Sequence, residues 1–159
     1  MTKIITESLQ GNIQHAFQLM DAYIETCPDK VWAKKFGTWP VWQQYYHAFT
    51  AIAFFLQQPG DPEETPPIAP LVGGLKEIAT ETPDKKVIKS YAQNMQAKAL
   101  KYASELDDAA LCLKNEGLSA RFGRDISHAG TLALIASHTL YHLGSCDAAL
   151  RENGIPGVF

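Results

Sequence analysis

Apolar residues recur with the period of a helix in four long stretches of this 159-residue chain. The stretches cover residues 7–26, 40–58, 83–106 and 127–153. None shows the alternation of apolar and polar residues that is typical of a half-buried strand. We therefore expect an all-α protein, a four-helix bundle in which residues 1–159 form a single domain.

Capping residues and prolines predict where the second and third helices begin. Thr38 is the expected N-cap of the second helix, with Pro40 tolerated in the first turn. Thr82 is the expected N-cap of the third helix, with Pro83 at its first position. The fourth helix is expected to begin near Ser127.

The connection between the second and third helices, residues 59–82, is long and rich in proline. Its five prolines and a Gly–Gly pair oppose regular structure over most of its length, although residues 71–78 could form a short helical turn. Such a length would let the second and third helices run parallel. Farther along, residues 109–117 could extend the third helix, and residues 118–125 are predicted to be a loop.

Charge, hydrophobicity and cysteine content indicate which partners and which cellular compartment to expect. The net charge is −3 and no block of Lys and Arg stands out, so we expect no nucleic-acid partner. The longest apolar run, residues 48–56, is too short to cross a bilayer, and we expect no membrane partner. The three cysteines form no C-x-x-C pair, which favours free thiols in a reducing cytoplasm.

Two histidines lie four residues apart in the apolar segment "SHTLYHLGSC". His138 and His142 therefore project from one face of the fourth helix, toward the core. They are either two core histidines with separate hydrogen-bond partners or two ligands of one metal ion. The spacing by itself leaves both interpretations open.

A third histidine, His47, lies in the strongly apolar second helix. Three imidazoles from two helices would fill three positions around a divalent ion and leave others open, as in catalytic sites. His15 is an alternative ligand or a partner of one. His128 is expected at the helix start or on the surface, and Cys146 is expected to be a small core residue.

Two common metal chemistries are excluded by the spacing of residues. A zincin needs Glu directly after the first histidine, and Thr139 follows His138 here. Di-iron bundles need Glu-x-x-His, and no glutamate in this chain has a histidine three residues later. The remaining option is a mononuclear, histidine-rich site, for which we expect zinc or nickel first and iron next.

Two segments contain these histidines, "GTWPVWQQYYHA" and "SHTLYHLGSCDAALRENGIPG". In the histidines and in these two segments, the sequence resembles the DinB-like (DinB/YfiT) family. The resemblance covers nearly the whole chain and implies a four-helix bundle. It also implies that His47, His138 and His142 are the three metal ligands.

The resemblance further implies a class of activity. Family members with an assigned activity are mostly metal-dependent thiol transferases, which join bacillithiol, mycothiol or glutathione to an electrophile or use the thiol in an isomerisation. The expected partners are therefore a small-molecule thiol and an electrophilic substrate. Side chains near the histidines in sequence are candidates for orienting substrate: Tyr45, Tyr46, Tyr141 and Ser145.

Two alternatives stay open at this point. A metal-bound hydroxide could carry out hydrolysis instead of thiol transfer. The bundle could also be non-catalytic, with a structural metal or none. A homodimer is expected, and in the non-catalytic case its surface would include Trp32, Trp39 and Trp42.

Overall fold

The fold, a computed structural model that describes residues 2–62 and 65–159, consists of helices and one very small hairpin. Four of the helices are long, which confirms the all-α prediction. In chain order the elements are α1 (Ile4–Thr26), α2 (Asp29–Trp32), β1 (Lys35–Phe36), β2 (Trp39–Pro40), α3 (Val41–Leu56), α4 (Pro70–Gly73), α5 (Lys85–Ser104), a 3₁₀ turn (Ala110–Cys112), α6 (Glu116–Phe122) and α7 (His128–Glu152).

The four long helices form a closed ring around one apolar core. Helices α1 and α3 each pack against both α5 and α7, so α1 and α3 face each other across the bundle. The core between them is dominated by large side chains that are almost fully buried: Tyr23, Trp32, Trp42, Tyr45, Tyr46, Phe49, Met20 and Met95. The prediction of a four-helix bundle is thus confirmed.

Helices α3 and α5 run parallel, as the length of the connection between them suggested. Tyr46 and Tyr91, each near the start of its helix, have ring centroids 5.2 Å apart. At the opposite end, Leu56 of α3 and Tyr102 of α5 line one cavity. A crossover of this length is what allows two consecutive helices to share a direction.

The start of α3 differs from the prediction. Thr38 is not its N-cap but lies in the turn between β1 and β2, beside Gly37, whose φ of 64° suits a glycine. Helix α3 begins at Val41, with Pro40 as a cap that makes no side-chain hydrogen bond. The hairpin, in which Phe36 pairs with Trp39, holds Thr38 outside the helix.

The start of α5 also lies later than predicted. Thr82 and Pro83 precede the helix, and Asp84 is the N-cap, accepting a hydrogen bond from the backbone N–H of Lys86 at 2.9 Å. Asp is among the strongest N-capping residues because its carboxylate satisfies a free N–H of the first turn. The prediction of Thr82 as the cap was wrong by two positions.

The predicted loop at residues 118–125 is largely helical, because most of α6 lies there. Asn115 caps this helix by accepting from the N–H of Leu118 at 3.0 Å. Gly123, in the left-handed conformation, ends it. Residues 109–117 do not extend α5, which ends at Ser104. At seven residues, α6 is too short to show a helical period clearly.

The expectation that three tryptophans form a dimer surface is wrong for two of them. Trp32 and Trp42 are only 2% and 1% exposed, and both belong to the core. Trp39 is partly exposed in β2. None of the helices in the described ranges combines the length and apolar character needed to cross a membrane.

Candidate metal centre

Three histidine rings meet between α3 and α7. His47 projects from α3, and His138 and His142 project from successive turns of α7. Ring centroids lie 5.2 Å apart for His47 and His138, 4.6 Å for His47 and His142, and 4.6 Å for His138 and His142. One nitrogen from each ring lies within 4.8 Å of the others. The structure thus brings together the three residues that the sequence singled out.

The orientation of His47 is set by a backbone carbonyl outside the bundle. Its Nδ1–H donates to the carbonyl oxygen of Gly73, at the end of α4, with a separation of 2.7 Å. The hydroxyl of Thr50, one turn along α3, donates to the same oxygen at 2.9 Å. Since Nδ1 carries the proton, Nε2 of His47 keeps a free lone pair.

His142 is oriented in the same manner by a side chain. Its Nδ1–H donates a hydrogen bond to Oε1 of Gln44, with a separation of 2.9 Å. Gln44 precedes His47 on α3 by three residues, so the two side chains project from neighbouring turns. This bond also leaves Nε2 of His142 available as a ligand atom.

His138 lacks such a partner. Its Nδ1 is buried and makes no hydrogen bond within residues 2–62 and 65–159. The ring instead packs edge-on against Phe55, with centroids 5.4 Å apart. A buried polar atom without a partner destabilises a protein by about 1–3 kcal/mol, and a cation bound through Nδ1 would offset that cost.

Burial keeps all three imidazoles neutral near pH 7. Desolvation lowers the pKa of His47, against a smaller opposing effect of the Gly73 carbonyl. Desolvation also lowers the pKa of His138 to about 4, with a further contribution from His47. For His142 the pKa falls to about 3, by burial and then by repulsion from the other two rings. Neutral rings offer the lone pairs that a metal ion requires.

The donor set fits a divalent transition metal. Within the described residues, the cluster consists of three imidazoles without a carboxylate or thiol. Imidazole suits zinc, nickel, iron and copper, whereas magnesium and calcium prefer oxygen ligands. The three rings therefore fit such an ion. Hydrogen bonds already orient two of them, and the third, His138, has a buried nitrogen without a hydrogen-bond partner.

The other predicted candidates lie elsewhere. His15 is exposed on α1 and does not join the cluster. His128 is the first residue of α7, as expected, but it is half-buried and its Nδ1 lies 2.5 Å from the hydroxyl of Tyr102. Cys146 is 1% exposed in the core, as predicted, and burial raises the pKa of its thiol.

The tyrosines near the histidines differ in their access to the site. Tyr45 packs in the core, with ring centroids 5.3 Å from Trp32 and 5.2 Å from Phe49. Tyr141 is 72% exposed and lies edge-on to His142 at 5.1 Å. Of these two, only Tyr141 is placed to meet a ligand that approaches from solvent.

A cavity of about 510 Å³ adjoins the histidines. His47 and His138 form part of its wall, and residues of the segment around α4 form another part. This volume is in the range of pockets that bind small molecules. The histidine cluster therefore has room beside it for a ligand.

A glutamine that the sequence analysis missed fixes the wall formed by the α4 segment. Gln43 is fully buried, and its Nε2 donates to the carbonyl oxygens of Val72 and Glu77 at 2.9 and 2.6 Å. Its Oε1 accepts from the N–H of Ala79 at 3.1 Å. The signal in the sequence was a pair of glutamines, Gln43 and Gln44, inside an otherwise apolar helix.

The comparison with protein families decides the family. A family model described as the DinB superfamily matches residues 12–146, which include all three histidines. The chain belongs to the DinB superfamily. Neither the search of curated proteins nor the search of solved structures gave a significant match.

Membership in the DinB superfamily agrees with the helical bundle and with the three-histidine cluster. The resemblance noted from the sequence is thereby confirmed. Because one fold can carry many functions, the activity of this DinB-superfamily protein has to be argued from the histidines and the cavity beside them.

Proposed function

We propose that the protein is a metal-dependent enzyme, a thiol S-transferase that uses one divalent ion held by His47, His138 and His142. The observation that carries the proposal is the convergence of three imidazoles, two of which, His47 and His138, line a small-molecule-sized cavity. Zinc or nickel is the proposed ion, with iron next.

When bound, a divalent ion with three neutral ligands would act as a Lewis acid and favour deprotonation of a coordinated thiol near neutral pH. The protein's own residues supply orientation. Gly73 and Gln44 fix the rings of His47 and His142 through their Nδ1–H groups. Such partners preserve the tautomer and direction of a ligand.

The cavity would hold the electrophile next to the histidines. Phe55 lies in its wall and packs edge-on against His138, so the ring screens that side of the cluster from water. A dry site strengthens electrostatic interactions between charged groups. The thiol and the electrophile are the proposed partners, and nucleic acid and membranes are not.

The cellular setting is part of the same proposal. Cys27, Cys112 and Cys146 are all free thiols in the structure, which supports a reducing cytoplasm. We also propose a homodimer. With Trp32 and Trp42 buried, its surface must be formed by other residues.

The first experiment measures metal content. Protein purified without a histidine tag is expected to contain about one equivalent of metal, and His142→Ala is expected to abolish it. The matched control is His15→Ala, which removes an exposed imidazole outside the cluster and should leave the metal content unchanged. Absence of stoichiometric metal in the wild-type protein after loading would overturn the proposal.

The second experiment measures turnover. Metal-loaded protein is mixed with bacillithiol, mycothiol or glutathione and with a generic electrophile such as 1-chloro-2,4-dinitrobenzene. Thiol-dependent product formation that is lost in His142→Ala supports the transferase. Ester hydrolysis without thiol would favour a hydrolase instead. Stoichiometric metal without any turnover, together with a lower melting temperature on chelation, would favour a structural metal.

A further inference from the structure

The cavity beside the histidines is predominantly apolar. Apart from the histidines, its wall contains three aromatic rings, two prolines and a leucine: Phe54, Phe55, Tyr91, Pro66, Pro70 and Leu71. Leu71 and Phe54 are 47% and 43% exposed, so they lie where solvent reaches the cavity. An apolar wall of this kind favours a ligand with an apolar body.

One cation interrupts this apolar wall. Lys76 is the only Asp, Glu, Lys or Arg side chain that lines the cavity among residues 2–62 and 65–159. His47 and His138 line the same cavity. Lys76 is therefore the one side chain of the Asp, Glu, Lys and Arg types that the described part of the protein offers to an anionic group in this cavity.

An unusual turn sets the position of Lys76. The preceding residue, Leu75, has φ of 55°, in the left-handed region that a leucine rarely adopts. The N–H of Lys76 donates to the carbonyl oxygen of Leu71 at 2.9 Å, which closes the turn after α4. Gly74, which could take the left-handed conformation without strain, does not.

The base of this segment is fixed as well. Gln43 holds Val72 and Glu77 through their carbonyl oxygens, on either side of Lys76 in sequence. The backbone that carries Lys76 is therefore attached to α3 on both sides of the lysine, while Lys76 itself is exposed.

We propose that this cavity binds an apolar carboxylic acid. Its carboxylate pairs with Lys76, its body lies against Phe54, Phe55 and Leu71, and its far end faces His47 and His138. The proposal deepens the proposed function, on which it rests for the role of the histidines, by assigning an anionic group to the substrate that occupies the cavity.

The test compares an acid with its neutral analogue. Binding of 4-phenylbutanoate and 4-phenylbutanamide is measured by calorimetry to the zinc-loaded protein and to the metal-free protein. The acid is expected to bind more tightly than the amide to both forms. Lys76→Gln is expected to weaken binding of the acid about fivefold, as for a partly exposed ion pair, and to leave the amide unchanged. Lys30→Gln, an exposed lysine on α2, is the matched control.

Two results would overturn the inference: equal affinity for acid and amide, or an acid affinity that Lys76→Gln does not change. If binding of the acid requires zinc and is unaffected by Lys76→Gln, the carboxylate binds the metal. The inference then fails, while the metal centre stands. If the protein takes up no zinc and Lys76→Gln still weakens binding of the acid, the cavity inference stands and the proposed metal-dependent function fails.

Discussion

His47 donates its Nδ1–H to the carbonyl oxygen of Gly73 across 2.7 Å, so a candidate metal ligand on α3 is joined directly to α4. The two residues that this hydrogen bond joins belong to different parts of the site. His47 belongs to the histidine cluster, whereas the segment after Gly73 carries Lys76, which lines the cavity beside that cluster. A displacement of α4 would therefore alter both the orientation of a ligand and the shape of the cavity.

Loss of the acceptor for His142 is expected to weaken metal binding. In Gln44→Ala, the Nδ1–H of His142 loses its partner at 2.9 Å, and the ring loses its fixed orientation. We expect a 10- to 100-fold drop in metal affinity, measured by competition with a chromophoric chelator. Gln44→Glu, which keeps an acceptor oxygen, should retain most of the affinity. Gln14→Ala, on the exposed face of α1, is the control, and an equal loss in both alanine variants would contradict the prediction.

Removal of the buried amide of Gln43 is expected to destabilise the protein. Gln43→Leu removes three hydrogen bonds, two to the carbonyl oxygens of Val72 and Glu77 and one from the N–H of Ala79. At about 1 kcal/mol for each bond, the free energy of unfolding should fall by about 3 kcal/mol, measured by urea denaturation. Hydrogen exchange should accelerate at the Ala79 amide. Wild-type exchange there would show that Gln43 does not hold this segment.

A methyl group at Gly117 is expected to disrupt the contact between α6 and the end of α3. A Cβ at this position would lie 2.4 Å from the carbonyl oxygen of Gln57, which is backbone and cannot rotate away. Gly117→Ala should therefore lower the free energy of unfolding by about 1–3 kcal/mol.

Gly144 supplies the control for that variant. It lies on an exposed part of α7, with nothing within 4 Å of an added Cβ. Gly144→Ala should stabilise the protein by about 0.5–1 kcal/mol, because alanine loses less backbone entropy in a helix. Thermal unfolding of the two variants should shift in opposite directions, and shifts of the same sign would contradict the predicted clash.

Asp108 is expected to make stability depend on pH in the acid range. Its Oδ1 accepts from the backbone N–H groups of Ile5 and Thr6 at 3.1 and 2.9 Å and from the Thr6 hydroxyl at 3.0 Å, at the start of α1. The bond from the Thr6 N–H is the main reason that the pKa of Asp108 lies below its ordinary value of 3.8.

Because the folded state favours the charged carboxylate, the stabilisation is fully present above pH 3.8 and is lost as the pH falls through the lower folded-state pKa. Asp108→Ala should lower the melting temperature at pH 7, and its difference from wild type should shrink below about pH 4. The exposed residue Glu81 provides the control variant, Glu81→Ala. A difference that stays constant down to pH 2 would argue against this role of the carboxylate.

The sequence indicated the histidine cluster because local periodicity carries that information. A spacing of four places His138 and His142 on one face of α7 whatever the rest of the chain does. His47 could be added because it lies in a helix too apolar to be exposed. That the three rings meet follows only from the antiparallel packing of α3 against α7, seen in the contact of Phe55 with His138 and of Gln44 with His142.

Short elements were less predictable than long ones. The start of α7 near Ser127 was predicted correctly, and the structure shows Ser127 to be its N-cap. The predicted cap of α5, Thr82, was wrong, because Asp84 caps that helix. Helix α6 was missed because it has only seven residues, and its cap, Asn115, is held by a distant partner as well as by Leu118. Gln58, two residues after the last residue of α3, donates to Oδ1 of Asn115 at 3.1 Å. Such a contact has no signature in the local sequence.

By itself, the sequence determined the four long helices, the parallel course allowed by a long crossover, and the three histidines, since all of these depend on spacing along one helix or one loop. Tertiary structure alone decided what surrounds the histidines. The carbonyl of Gly73 and the cation of Lys76 reach the site only because residues 65–79 fold back over α3, and the amide of Gln44 reaches His142 only because α3 packs against α7. The hydrogen bonds that hold the 65–79 segment join residues 26 to 36 positions apart, and no local pattern of residues encodes such a contact.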